Sequence, residues 1–306
     1  MFIIKHKKIF IGISTILVAF ALVAIFTFGL NVGIDFKGGA LTEVTYTDER
    51  PTQEELNPKL EELGLGSVLL QPTGDKGYIV KTRTLTDAEH TALLQTLSGQ
   101  ENYTREDTSV LTETNFNSIG PSVGRELTRK AIIAIILISL TIICFIAFAF
   151  RHVSKPVSSW KYGLIAIVAL LHDVIIPIGI FATLAHFYGA ELDTLFVVAV
   201  LTILGLSVSD TIVIFDRIRE NLRQHENKHM NFPAIVGTSL SQSFVRSLCT
   251  SLTTLLVLVA LVFFGPATTK YFALMLMAGM FFGTYSSLFL ASPLLVLVEE
   301  WQRKNK

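Results

Sequence analysis

Charged residues, cysteines and tryptophans are scarce in this sequence. Only 16% of the 306 residues are charged, and the chain has two cysteines and two tryptophans. Cys144 and Cys249 both lie in apolar segments, and the one long polar segment, residues 31–130, contains no cysteine. No disulfide framework or thiolate metal site is therefore indicated, and we interpret both cysteines as packing residues.

Recognisable catalytic motifs are also absent. Residues 31–130 contain no Ser/His/Asp cluster, no phosphate-binding loop and no pair of catalytic acids. The only histidine of this segment, His90, lies in a polar helical pattern and is expected to be a solvated surface residue. The sequence therefore favours a protein that is not an enzyme and that needs neither a metal nor another cofactor.

Long apolar runs are abundant. Hydrophobic residues make up 51% of the chain, and the mean hydropathy is +0.55. Six blocks approach or exceed the roughly 20 residues that a helix needs to cross a bilayer. They are Ile9–Phe28, Ala131–Phe150, Gly163–Phe187, Leu195–Phe215, Phe244–Phe264 and Tyr271–Val298. The first block follows three lysines but precedes no clear cleavage site, so we interpret it as a retained anchor and not as a signal peptide.

The basic residues predict the orientation in the membrane. If the N-terminus is cytoplasmic, the inner segments hold fourteen basic and five acidic residues, and positively charged segments stay inside. Both termini are therefore expected in the cytoplasm. The predicted organisation is an anchor at 1–30, an extracytoplasmic domain at 31–130, a five-helix membrane domain at 131–298 with a cytoplasmic loop at 216–242, and a cytoplasmic tail at 299–306. The domain at 31–130 has sixteen acidic and ten basic residues, which argues against a nucleic-acid partner.

Alternating short patterns predict a small α+β domain within residues 31–130. The predicted strands are Ala40–Tyr46, Ser67–Gln71 and Tyr78–Thr82, and the predicted helices are Thr52–Leu63 and Thr86–Leu97. The order strand, helix, strand, strand, helix is typical of a ferredoxin-like sheet with helices on one face.

Asp210 is the most informative residue of the apolar blocks. It lies in the run Leu195–Phe215, where a carboxylate near the bilayer centre costs roughly 2.5 to 3.5 kcal/mol on insertion scales. Such residues mark an ion or proton path or a buried partner. Ser209 and Thr211 flank it and add to a polar sector on the same helix.

Arg246 begins a polar stripe on the fifth block. Thr250, Thr253 and Thr254 follow it at helical spacing, which predicts one shared face. Arg246 is expected at a depth from which it reaches Asp210, and proton binding to Asp210 would weaken such a pair. A permanent ion pair, or an arginine that extends to the membrane surface, are the structural alternatives.

Two other features are of second rank. His172 and Asp173 lie near the middle of the third block, but adjacent residues project about 100° apart on a helix and are not expected to act as one flat pair. A place in a proton route and a structural hydrogen bond beside Pro177 both remain open for them. Small residues recur every fourth position on the sixth block and predict a helix-packing seam: Gly279, Gly283, Ser287 and Ala291.

An ordered set of short motifs resembles SecF members of the SecD/SecF family of bacterial protein-export proteins. The motifs are Gly33-Ile34-Asp35-Phe36-Lys37-Gly38-Gly39, Gly120-Pro121-Ser122-Val123-Gly124, His172-Asp173-Val174, Ser207-Val208-Ser209-Asp210-Thr211-Ile212-Val213, Phe215-Asp216-Arg217-Ile218-Arg219-Glu220-Asn221, and Arg246 with Thr250-Ser251-Leu252-Thr253-Thr254. The resemblance covers nearly the whole chain, although Ser209 and Lys37 stand where many relatives have Asn and Thr.

The resemblance implies a six-span subunit of the bacterial inner membrane. It implies a SecD-like six-span partner, association with the SecYEG channel, preprotein substrates, and use of the proton motive force through Asp210. A small-molecule or lipid exporter of the resistance-nodulation-division type shares this architecture and is the alternative. A passive scaffold would leave Asp210 unexplained, and no second carboxylate or Ser/His pair at its depth supports an intramembrane protease.

Overall fold

The computed structural model describes residues 2–104, 107–149, 157–224 and 231–304, which form two compact units. The membrane unit comprises Met1–Asn31, Ile133–Glu191 and Leu195–Lys306. The inter-span domain comprises Val32–Ile132 together with Leu192–Thr194. The end of the second predicted block at Phe150, and the basic residues Arg151, Lys155, Lys228 and Lys306 of the predicted inner segments, lie outside the described residues.

Within these described ranges, six helical segments are long and apolar enough to cross a membrane. A short helix α1 (Phe2–Lys5) precedes the first span, α2 (Lys7–Phe28), and another, α3 (Ile34–Lys37), follows it. The next four spans are α6 (Pro121–Ala149), α7 (Ser159–Tyr188), α8 (Thr194–Gln224) and α9 (Phe232–Phe264). The sixth span combines α10 (Lys270–Ser286), a π-helical turn at Ser287–Ala291, and α11 (Ser292–Lys304).

The predicted loop at 216–242 is largely helical. Its first part, to Gln224, continues α8, and its last part, from Phe232, begins α9. The prediction took the end of the apolar run for the end of the helix, but polar residues such as Glu220 and Arg217 are good helix formers and continue the helix beyond the apolar segment.

Three helices form the centre of the membrane unit. About half of the most apolar window of α7, α8 and the sixth span is buried, whereas α2, α6 and α9 bury 11%, 6% and 17%. Small residues allow close approach: a Cβ on Gly179 of α7 would lie 2.5 Å from the Cα of Ala21 on α2. The predicted seam on the sixth span packs inside this chain, because a side chain at Gly279 would collide with Ile203 of α8.

The inter-span domain has the predicted ferredoxin-like architecture. Its sheet contains β1 (Gly39–Tyr46), β2 (Leu69–Thr73), β3 (Gly77–Thr82) and β4 (Leu111–Ile119) in the order β2-β3-β1-β4, and every pair is antiparallel. Helices α4 (Gln53–Glu62) and α5 (Asp87–Ser98) complete it. Both helices contribute to one core, which contains Val44, Tyr46, Leu56, Leu60, Leu65, Leu70, Tyr78, Val80, Leu93, Leu94, Leu97, Tyr103 and Leu111.

The fourth strand was not predicted. β4 pairs with β1 along its whole length, but most of its side chains are exposed because it lies at the edge of the sheet. An edge strand with polar residues on both faces lacks the apolar alternation by which strands are recognised. The ladder also shifts register between Glu43 and Val44, as in a β-bulge.

The prediction for His90 was wrong. Its side chain is only 1% exposed, its Nε2 lies 2.8 Å from Oε1 of Glu113, and its ring stacks on Phe116. Both partners belong to β4, the strand that the sequence did not reveal. Without that strand, the polar face of α5 was taken for a solvated one.

A capping box fixes the start of α5. Oε2 of Glu89 accepts hydrogen bonds from the backbone N–H and the hydroxyl of Thr86, and Arg83 donates to both carboxylate oxygens. Arg83, followed by Thr86, lowers the pKa of Glu89 to about 2. The carboxylate therefore stays ionised near neutral pH, and its contribution to stability is lost only as the pH falls towards that value.

Gly38 lies in the connection between the first span and the sheet. Its φ is +84°, and a Cβ there would lie 2.9 Å from both Cα and N of Pro121. The neighbouring Asp35 accepts hydrogen bonds of 2.8 Å from the backbone N–H and the hydroxyl of Thr194, at the start of α8. Two backbone segments thus meet where only a residue without a side chain fits.

We predict that Gly38→Ala destabilises the inter-span domain more than Gly66→Ala. Gly66 has nearly the same φ, +80°, but no heavy atom within 4 Å of its added Cβ. Both changes incur the left-handed penalty of roughly 1–2 kcal/mol, and only Gly38→Ala adds crowding of about 1–3 kcal/mol. Pulse proteolysis of the purified full chain across a urea series measures the difference. Equal losses would mean that crowding at Pro121 has no role.

Candidate functional site: two carboxylates among serine hydroxyls

Asp173 is completely buried between three helices of the membrane unit. Its Oδ2 accepts hydrogen bonds of 2.6 Å from the hydroxyls of Ser207 on α8 and Ser286 on α10. Its Oδ1 lies 2.8 Å from Nδ1 of His172. A buried carboxylate is tolerated when such donors compensate for lost hydration, so this cluster also joins α7, α8 and α10.

The contact between His172 and Asp173 corrects the expectation that adjacent residues would not pair. The two Cβ atoms do diverge, but the carboxylate turns back towards the nearer ring nitrogen, Nδ1. The other ring nitrogen, Nε2, is buried and has no hydrogen-bond partner among the described residues. The ring of His172 stacks on that of Tyr285, with centroids 6.2 Å apart.

Asp210 lies near the middle of α8 and is only partly buried. Its Oδ1 accepts a 2.7 Å hydrogen bond from Ser247 of α9. Its Oδ2 is buried and has no hydrogen-bond partner in the described part of the chain. Ser287 approaches the carboxylate but lies outside hydrogen-bond geometry with it. One carboxylate oxygen is therefore satisfied, and the other can receive a proton.

A cavity of about 110 Å3 adjoins Asp210, and Arg246 lies on its wall. No oxygen of Asp210 is within salt-bridge distance of Arg246, so the expected direct pair is not formed in this structure. Arg246 still contributes its positive charge nearby. Since a cavity needs only about 10–15 Å3 to hold one water, several waters fit between the two groups.

The predicted polar face of α9 is displaced by about one residue. Arg246 and Thr250 line the cavity, but Thr253 and Thr254 do not. The hydroxyls of Thr253 and Thr254 instead bond to backbone carbonyls of their own helix, at Cys249 and Thr250. The buried face of α9 carries Ser243, Ser247, Ser251 and Leu258. The serines of this face recur at i, i+4 and i+8 in the sequence. The prediction favoured the adjacent face instead, because it carries the charged residue Arg246.

Ser209 and Thr211, which flank Asp210 on α8, have different surroundings. Ser209 is exposed and lines the cavity beside Asp210. Thr211 is buried and shares a 2.9 Å hydrogen bond with the hydroxyl of Ser287. Ser287, which the sequence assigned only to helix packing, therefore also belongs to the polar site.

Most hydroxyl groups of the site were not predicted from the sequence. The hydroxyl of Ser251 shares a hydrogen bond with that of Thr284, and it also donates to the carbonyl of Ser247 at 2.8 Å. Ser286 and Ser287 are consecutive, yet one contacts Asp173 and the other contacts Thr211. The π-helical turn begins at Ser287, and the wider turn changes the direction of successive side chains. Serines are common in apolar helices, so no signal in the sequence distinguished these from ordinary packing residues.

The arrangement suits exchange of protons more than group transfer. Hydroxyls can donate to an ionised carboxylate and can reorient when it is protonated. No group of three or more His, Cys, Asp or Glu side chains that could hold a metal occurs among the described residues. Fold and site thus define a class: polytopic membrane proteins with an α+β domain between the first two spans and a carboxylate at a polar intramembrane cavity.

Comparisons with known proteins agree with this class. The family model "Protein export membrane protein SecD/SecF, C-terminal" matches residues 100–301, and the "SecD/SecF GG Motif" matches residues 23–49, which include Gly38. The protein translocase subunit SecF of Thermobaculum terrenum is 40% identical over 99% of this chain and 94% of its own length. The chain belongs to the SecD/SecF family of protein-export membrane proteins.

Longer relatives carry the same segment as part of a fusion. The protein translocase subunit SecDF of Brucella abortus is 34% identical over 94% of this chain, which spans 36% of that protein. The crystal structure of SecDF from Thermus thermophilus, described as a translocon-associated membrane protein, superposes with a TM-score of 0.81 at 31% identity. That match covers 97% of this chain and 38% of the SecDF chain.

We predict that a thiol at position 250 is reached by water and one at position 253 is not. In a background without Cys144 and Cys249, Thr250→Cys should react with a membrane-impermeant methanethiosulfonate at least about tenfold faster than Thr253→Cys, because reaction requires a hydrated thiolate. Reaction rates are measured in native membranes by mass shift. Equal rates would mean that the cavity is dry or that α9 faces it differently.

Proposed function

We propose that this protein is the SecF subunit of a bacterial protein translocase and that it acts with SecD to promote preprotein export at the expense of the proton motive force. The observation that carries the proposal is the environment of Asp210. Its carboxylate lies within a membrane span, has one oxygen without a hydrogen-bond donor among the described residues, and adjoins a cavity large enough for water. Membership of the SecD/SecF family supplies the reaction to which this site contributes.

Proton binding at Oδ2 is the proposed coupling step. The ionised form accepts the Ser247 hydroxyl and is stabilised by the charge of Arg246 across the cavity. A proton on Oδ2 removes the negative charge and adds a donor, and the surrounding hydroxyls must then rearrange. A membrane potential of 100 mV provides about 2.3 kcal/mol for each elementary charge moved across it, so one proton can bias two arrangements of these helices.

Arg246 is proposed to act in this step without a permanent pair. Arg246 lines the cavity, where its charge can balance the ionised carboxylate through water and be released when Asp210 is neutral. An arginine that merely extends to the membrane surface would have no need of a position beside a polar cavity.

The proposed orientation has both termini in the cytoplasm. The excess of basic residues in the inner segments supports it. The inter-span domain is then extracytoplasmic, on the side where an emerging preprotein can be held. The SecYEG channel and the preprotein are the proposed partners there, and the membrane is the bacterial cytoplasmic membrane.

A SecD-like protein is the proposed partner within the membrane. The cavity beside Asp210 opens between α8 and α9, where Ser209 and Thr250 are exposed. Polar groups at such depth are normally covered by protein. The packing seam on the sixth span is already used inside this chain, so it does not form the partner surface. Fusion of SecD and SecF segments in relatives supports the pairing. The exporter alternative gains no support from these relatives, which are named as translocase subunits.

The first prediction from this proposal concerns Asp210→Asn. The amide is nearly isosteric and is cheaper to bury, so insertion and assembly should persist, while stimulation of export by an imposed proton gradient should fall at least about tenfold. Export into membrane vesicles, with and without the gradient, measures the ratio. Asp216→Asn is the matched control, because Asp216 is on the same helix with a 67% exposed side chain. Undiminished stimulation in Asp210→Asn would eliminate the proposed role.

The second prediction concerns the partner surface. A photo-cross-linking residue at Ser209 should capture a SecD-like membrane protein in native membranes. The same residue at Leu140 of α6, a side chain that is 55% exposed on a span of which only 6% is buried, should capture lipid. Mass spectrometry identifies the products. Capture of only a second copy of this chain from Ser209 would contradict the proposal and favour a homo-oligomeric exporter.

A further inference from the structure

Asp173 lies close to the proposed proton site but is not part of it. Asp210 lies on α8, and the same helix carries Ser207, which lines the cavity and donates to Asp173, and Thr211, which contacts Ser287. The other carboxylates described in the spans, Glu126, Asp216, Glu220, Glu299 and Glu300, lie nearer the ends of their spans than Asp173 and Asp210 do. Asp173 is fully buried and contacts two serine hydroxyls and a histidine nitrogen, whereas Asp210 accepts from Ser247 and adjoins the cavity.

The two carboxylates are connected through consecutive residues of the sixth span. Ser286 donates to Oδ2 of Asp173, and Ser287 contacts Thr211, the residue that follows Asp210. Ser287 also begins the π-helical turn, and the hydroxyl of Ser292 donates to its carbonyl at 3.2 Å. A shift of Ser286 therefore also reorients the side chain of Ser287, because the two residues are consecutive and Ser287 begins the π-helical turn.

We propose that Asp173 is a positioning residue, which holds Ser286 and the π-helical turn so that Ser287 and Thr211 set the proton affinity of Asp210. His172 assists by fixing the orientation of the Asp173 carboxylate. The inference rests on the proposed function of Asp210 as a proton site. A purely structural role, in which Asp173 only joins three helices, is the competing explanation.

In the described part of the chain, polar and aromatic groups beside this cluster come from α7, α10 and α2. His172 belongs to the same helix, and Tyr285 stacks on its ring from α10. Ser14 of α2 approaches the hydroxyl of Tyr285. Asp210 and Arg246 line the adjoining cavity, and so does Ser207, which donates to Asp173.

The test compares the pH at which gradient stimulation of export is half-maximal in vesicles of native membrane. Asp173→Asn should displace this midpoint by about one unit, because Ser286 loses its carboxylate acceptor and the contact of Ser287 with Thr211 beside Asp210 changes. Ser286→Ala keeps Asp173 but removes the hydrogen bond between the two residues, and it should lower the gradient stimulation at least about fivefold. Ser239→Ala is the matched control, since Ser239 is a buried serine of α9 that bonds to Asn221 away from the site.

A second measurement reports on Asp210 directly. Infrared spectroscopy of the full chain in vesicles detects the protonated carboxyl band of Asp210, assigned by its loss in Asp210→Asn. Asp173→Asn and Ser286→Ala should both displace this band, and Ser239→Ala should not. If the band and the midpoint stay unchanged in folded variants, Asp173 is only structural. If Asp210→Asn leaves export stimulation intact but the band responds to Asp173, the proposed function fails and the positioning inference survives.

Discussion

A carboxylate inside hydrocarbon must find hydrogen-bond donors in the protein, and this requirement organises the membrane unit. Asp173 accepts hydrogen bonds from serines of α8 and α10, and His172 of its own helix lies 2.8 Å from its other oxygen. Those three elements are also the most buried of the bundle. Lipid supplies no hydrophobic drive that would bring helices together, so close packing of small residues and such polar contacts set their arrangement. The position of α8, and with it the position of Asp210, depends on this buried cluster.

The π-helical turn gives the sixth span two functions within a few residues. Before the turn, Gly279 and Gly283 bring α10 against α8 and Asp173: a Cβ at Gly279 would collide with Ile203, and a Cβ at Gly283 would lie 3.7 Å from Oδ2 of Asp173. At the turn, serine hydroxyls take over the same contact. Ser286 contacts Asp173 of α7 and Ser287 contacts Thr211 of α8, so the start of the turn joins two helices. Such turns are frequent at functional sites, because a change in their hydrogen bonds rotates the segment that follows.

Sequence patterns were sufficient for the elements with strong periodicity. Six spans follow from the length of apolar runs, and β1, β3 and the two domain helices follow from alternation and capping residues. β4 was missed because an edge strand with sequence Leu-Thr-Glu-Thr-Asn-Phe-Asn has polar residues on both faces. That omission produced the error at His90, whose partner Glu113 is on β4. Burial of a polar residue depends on its tertiary neighbours, and a single missing strand is enough to reverse the prediction.

At the site, charge was easier to recognise than geometry. Asp210 and Asp173 were visible because ionisable residues in apolar runs are expensive, and this cost does not depend on the fold. The direct Asp210–Arg246 pair and the face of α9 required the rotation of each helix, which composition does not determine. Serines at Ser247, Ser286 and Ser287 are individually ordinary in membrane helices. Their importance arises only when α8, α9 and α10 come together.

Asp173 and Asp210 have the same side chain in different surroundings, and this difference suits them to different roles. A proton carrier must be able to lose its donors, reach water and change its charge, and Asp210 has one donor and an adjacent cavity. A group that is fully buried and in contact with two serine hydroxyls and a histidine nitrogen resists such changes and is suited to fix geometry. The same side chain thus has two roles within one bundle because its surroundings differ. Ser286 contacts Asp173 and Ser287 contacts Thr211, so a helix movement that breaks one of these hydrogen bonds also alters the other. A change of charge at Asp210 therefore affects residues at the packed centre of the bundle.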